Sequence, residues 1–146
     1  MPDAHVIYVD PDDFTIEQLQ DITQGIDSWH AADNRIDMQA MLAPCAEGAD
    51  DSACLTLSCN IGIYSGLTSY DWNRWPWDDG SRIQICPNRI FTRDQMISAA
   101  AHEAGHAMGL VHIPQPNGIM FHTYAGFTSP QPIDLQQWWS LAPRRE

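Results

Sequence analysis

The chain has 146 residues, 44% hydrophobic and 18% charged, which suits one globular domain with a buried core and excludes a disordered chain. Its net charge of −12 is concentrated in residues 1–51, where twelve acids face one arginine; that field disfavours nucleic acid and anionic membranes as partners. No apolar run approaches the roughly 18 residues that span a bilayer, and no basic region followed by an apolar one opens the chain, so no signal peptide is visible.

His5–Asp10 is a β-type run that ends at a proline-aspartate break. Thr15 and Gln18 form a capping box, after which Ile16, Leu19, Ile22, Ile26 and Trp29 recur at helical spacing, a stripe that should pack on a sheet. Arg35–Leu42 alternates like a half-buried strand. A cysteine-bearing acidic loop is expected next, followed by strands at Asn60–Leu67 and Arg82–Cys86. Between those strands, Ser69–Asp79 carries four aromatics, suited either to gripping substrate side chains or to covering the sheet end. Cys45, Cys54, Cys59 and Cys86 make an even count with no CxxC pair. Two disulfides in an exported protein are expected, with reduced thiols in a cytosolic protein as the alternative. Three pairings are open: a 45–54 bridge would staple the acidic loop, and 59–86 would then tie two strands.

A second capping box, Thr92 with Gln95, opens the helix that carries the chemistry, and Ala99, Ala100 and Ala101 allow it to pack closely on the sheet. Within it runs His102-Glu103-Ala104-Gly105-His106-Ala107-Met108-Gly109-Leu110-Val111-His112. Histidines four apart share one helix face, and Glu103 leaves the helix beside them. Gly109 can take positive φ and end the helix, letting His112 return as a third nitrogen ligand. Three protein ligands leave a fourth position for water, the catalytic rather than the structural pattern of zinc. Met120 should be buried, either as a soft thioether floor under the imidazoles or as ordinary core filling. Pro132–Leu141 reads as a short last helix, with Trp138 and Trp139 as anchors.

The long histidine motif followed by Gly118-Ile119-Met120 resembles the metzincin clan of zinc endopeptidases, and the eight-residue gap most resembles its matrixin branch. The match is dense over residues 92–124; before it, only the order of elements agrees. The resemblance implies an α+β, metzincin-like fold: a mixed twisted sheet with a backing helix and the active-site helix forming an upper lobe (1–111). A small irregular lower lobe (112–146) then holds the methionine turn and terminal helix, all within a single catalytic domain, 1–146. It implies Zn2+ held by His102, His106 and His112, with Glu103 as general base and a polypeptide as substrate. The chain departs from matrixins after the methionine. His122 stands where related branches carry a zinc-reaching tyrosine, so His122 and Tyr124 are candidates to contact the metal or the oxyanion, against the plainer reading of a solvent-facing loop histidine. Ca2+ is a further candidate ion, from Asp10-Pro11-Asp12-Asp13 and Asp78-Asp79-Gly80 and because matrixins often bind it.

The function expected is metal-assisted peptide-bond hydrolysis by a monomer, with no nucleic-acid or membrane partner. The alternative is a zinc-containing module that binds or inhibits without cleaving, which would have no use for Glu103; a third reading is hydrolysis of non-peptide amides. The cysteines favour a secreted or extracytoplasmic place over the cytoplasm. No cysteine lies upstream of the first strand, so a cysteine switch is not expected within this chain.

Overall fold

Apolar side chains alternate along His5–Val9 (β1), burying Ile7 and Val9 on one face, and this strand lies inside a five-stranded sheet. The computed structural model describes residues 5–44, 52–62, 66–69 and 82–141. Its elements run β1, α1 (Ile16–Ala32), β2 (Met38–Leu42), β3 (Ser52–Leu57), β4 (Gly66–Ser69), β5 (Arg82–Ile85), α2 (Arg93–Ala107) and α3 (Pro132–Leu141). The strand order is β2-β1-β3-β5-β4; β1, β2, β3 and β5 are parallel, and among the described strands only β4 runs antiparallel, against β5. The fold is α+β with a mixed sheet.

Both capping boxes form as expected: Thr15 and Thr92 accept from the backbone of Gln18 and Gln95, whose side chains return to the cap amides. On α1, Ile22, Ile26 and Trp29 are fully buried, and each such burial is worth roughly 1.5–3 kcal/mol. Ile16, at the first helical position, departs from the expected stripe and is 73% exposed.

The alanines of α2 face α1 as well as the sheet. A Cβ on Gly25 would fall onto the Ile97 carbonyl and lie 2.9 Å from Ala100 Cβ, so the two helices touch at backbone distance. Trp29 seals the contact by donating its indole N–H to Ala101 O at 2.9 Å, and Arg93 reaches back to the buried Asp21 at 3.0 Å.

The sheet differs from the sequence expectation in three places. Ser52–Leu57, expected inside the cysteine-bearing loop, is the central strand β3, with Ala53 and Leu55 buried beside their strand partners Ile7 and Ile83. Of Asn60–Leu67, residues 60–62 are not strand, with Ile61 buried in a bend and Gly62 turning at φ 68°, while Gly66 and Leu67 belong to β4; residues 63–65 lie outside the described residues. The Arg35–Leu42 strand begins at Met38, and its last residues Met41 and Leu42 are exposed. At that edge Asp27 of α1 accepts the Ala40 N–H at 3.0 Å, which blunts β2 against further pairing.

Cys59 and Cys86 are joined, tying the chain beyond β3 to the end of β5, and Cys54 is also disulfide-bonded; among the described residues no cysteine is free. The aromatic stretch after Ser69, the acidic loop with Cys45 and Asp78-Asp79-Gly80 lie outside the described residues. Gly25→Ala sets a helix-propensity gain of about 1 kcal/mol against overpacking. Because the obstacle is backbone, overpacking should win, lowering unfolding free energy by roughly 1–3 kcal/mol in a denaturant titration; an unchanged midpoint would show that the helices can separate freely.

Candidate metal centre

The centre is built at the end of α2. His102 and His106 stand one turn apart, and the helix ends in a Schellman cap: Leu110 N–H bonds Gly105 O at 3.0 Å and Gly109 N–H bonds His106 O at 2.9 Å. Gly109 sits at φ 97°, a conformation open to glycine, so the reversal expected from the motif is made here. It carries His112 back against the helix, with ring centroids 5.2 Å from His102 and 4.9 Å from His106. One nitrogen of each ring lies within 4.8 Å of the others, the one such grouping able to hold a metal among the described residues.

Two carbonyls set the imidazoles. His102 Nδ1 meets Ile119 O and His106 Nδ1 meets Leu110 O, each at 2.8 Å. A carbonyl only accepts, so each Nδ1 carries the proton and each Nε2 presents a lone pair. Those Nε2 atoms are 3.1 Å apart. Burial, and then the neighbouring ring of His106, pushes the His102 pKa down to about 4; burial also lowers those of His106 and His112. The rings are therefore neutral at pH 7, and facing lone pairs at that separation are stable only with a cation between them. This donor set fits zinc, which takes neutral imidazole nitrogen and keeps an open position in three-ligand sites.

Glu103 leaves the same helix next to His102 and is 6% exposed. Its Oε1 accepts from Thr68 Oγ1 of β4 at 2.7 Å, and burial, only partly offset by this bond, raises its pKa to about 7. Met120 is fully buried beneath α2. A Cβ on Gly105 would strike its sulfur and lie 2.9 Å from Trp29, so the glycine inside the motif makes room for the thioether. His122 is exposed, with its ring centroid 6.4 Å from that of His112; Tyr124 is 44% exposed. Of the acids offered for calcium, Asp10 accepts from Asp12 N–H and Asp13 from Leu57 N–H, each at 3.0 Å.

Two residues of the centre escaped sequence reasoning, Thr68 and a buried acid. Asp134, in the first turn of α3, is fully buried and accepts from Ile119 N–H (2.8 Å), Met120 N–H (3.1 Å) and Gln131 N–H (2.7 Å). It fixes the turn whose Ile119 carbonyl orients His102. Gly118 is required beside it, because a Cβ there would come within 2.7 Å of both carboxylate oxygens. Nothing local links residues 118 and 134; an acid at N3 reads as an ordinary helix-dipole partner.

The matrixin model of the M10 peptidases matches residues 17–138. Human matrilysin is 38% identical over 61 residues, which are 42% of this chain and 19% of that protein, so the chain spans about a fifth of its relative. Archaemetzincin from Archaeoglobus fulgidus, solved with malonate, superposes with a TM-score of 0.57 at 12% identity, covering 92% of this chain and 99% of that one; at that identity the likeness is one of fold.

Asp134→Ala leaves two buried donors and one part-buried donor without their carboxylate and should lower stability by about 3 kcal/mol and zinc affinity by roughly 10-fold or more; wild-type values in chelator competition would separate the turn from the metal. In metal-free protein, imidazole NMR should find His102 neutral and Nδ1-protonated at pH 6. Its depressed pKa costs fold stability as pH falls from 6.5 towards 4, while the raised Glu103 pKa costs stability as pH rises from 4.5 towards 7. The two windows oppose, so each residue must be followed separately; a His102 that charges near 6.5 contradicts the tautomer argument.

Proposed function

The chain belongs to the matrixin family, and from that premise we propose that it is a zinc-dependent endopeptidase with Glu103 as its general base. The observation that carries the reading is a buried carboxylate beside three neutral imidazoles, a pairing that metal binding alone does not need. His102, His106 and His112 would hold the zinc. When bound, zinc supplies a Lewis acid that brings a coordinated water into a pKa range of about 7 and polarises a carbonyl.

The remaining work falls to this chain's side chains. Glu103 accepts a proton from the water as its oxygen bonds the scissile carbonyl carbon, and returns that proton to the amide nitrogen as the C–N bond breaks. A carboxyl held near pH 7 is matched to both transfers. For the oxyanion, the proximity of the His122 ring to His112 supports His122 over Tyr124.

The substrate would be an extended polypeptide. β4 closes the sheet beside the metal centre, with no further strand beyond it among the described residues, and a peptide can add to such an edge. We read residues 1–111 and 112–146 as the two sides of the cleft in one catalytic domain, acting as a monomer. Disulfides support a place outside the cytoplasm, and no described helix is long and apolar enough to cross a membrane.

Glu103→Ala should keep one zinc per chain and lose casein or fluorogenic-peptide hydrolysis by about 10^2–10^4-fold. Full activity in that variant removes the mechanism. Zinc-loaded wild-type protein that cleaves nothing in a diverse peptide library would favour a binding module. His122→Ala should lower kcat by roughly 10–100-fold with zinc retained, as loss of an oxyanion donor does; wild-type kcat returns His122 to the solvent-facing loop.

A further inference from the structure

A buried carboxylate must be held by something, and here the partner comes from a strand rather than from the motif. Thr68 Oγ1 lies 2.7 Å from Glu103 Oε1 and 3.1 Å from Glu103 O, so one hydroxyl meets both the carboxylate and the backbone of α2. Two residues back on the same face of β4 is Gly66. A Cβ added there would lie 3.0 Å from Glu103 Cγ and 3.0 Å from Oε2. The carboxylate thus rests on a glycine where any other residue would crowd it, and is tied by a β-branched side chain with few χ1 choices.

We propose that Thr68 is the positioning residue for the base: β4 seats the Glu103 carboxylate, Thr68 holding Oε1 and Gly66 leaving room for Oε2. This rests on Glu103 being the base. Oε1 is committed to the hydroxyl, which leaves Oε2 as the oxygen that takes and returns the proton. The same four-residue strand is the edge on which a peptide substrate would pair, so a peptide that orders β4 also orders the base.

Thr68→Val keeps the shape of the side chain and removes the donor. In zinc-loaded enzyme it should lower kcat by about 10–100-fold, the scale of a 1 Å misplacement, with KM within about twofold and zinc stoichiometry unchanged. Thr68→Ser, which keeps the hydroxyl, should recover kcat to within about threefold. In metal-free protein the carboxyl 13C resonance of Glu103 should move in Thr68→Val and stay in place in Thr68→Ser. Gly66→Ala provides an independent arm, since it crowds the carboxylate without touching the hydroxyl, and should also lower kcat more than it raises KM. Wild-type kcat in Thr68→Val, a serine variant as slow as the valine one, or a loss carried by KM overturns the proposal. Glu103→Gln, assayed alongside, separates the two claims: if it retains full activity the base assignment fails whatever Thr68 does, and if it is inactive while Thr68→Val is not, only the seat fails.

Discussion

Two nitrogen lone pairs held 3.1 Å apart are the constraint on which the rest of this molecule depends. Left alone, His102 and His106 would rotate or share a proton to escape that arrangement. They are prevented by the carbonyls of Ile119 and Leu110, each of which takes an Nδ1 proton at 2.8 Å. Neither carbonyl belongs to a regular element. Leu110 is placed by the helix cap at Gly109, and Ile119 by a turn hung from a buried aspartate. The two carbonyls thus aim both Nε2 lone pairs at one point, the arrangement a metal ion takes from imidazole.

Much of the remaining structure makes that arrangement rigid. α2 presents His102 and His106 on one side and small residues on the other, so that α1 can approach to backbone distance at Gly25. Trp29 joins the two helices and reaches the same glycine, Gly105, that admits the Met120 sulfur. Helix, backing helix and methionine turn therefore meet at one point beneath the metal centre. Displacement of any one of them shifts a ligand, which is the outer-sphere dependence that metal sites show generally.

Local patterns were the legible part of the sequence. The capping boxes at Thr15 and Thr92, the terminal helix at Pro132–Leu141 and the reversal at Gly109 all follow from residues within four positions of one another. The three histidines were legible because helix periodicity and one glycine suffice to bring them together. What distance along the chain concealed was the rest. β3 is central because β1 and β5 flank it, yet its sequence, interrupted by Cys54 and preceded by acids, reads as loop. Thr68 and Asp134 hold Glu103 and the methionine turn across 35 and 14–15 residues, and no periodicity encodes a contact of that kind. Gly105 reads as a weak helix residue until Met120 and Trp29 are seen against it.

The central claim is an open three-nitrogen metal site set by geometry, and X-ray absorption at the zinc edge tests it most directly. Protein carrying one equivalent of zinc should give three imidazole nitrogens and one further light atom at about 2.0–2.1 Å. His112→Ala should remove one imidazole from that count. A sulfur shell at about 2.3 Å, or a fourth imidazole, would contradict the account.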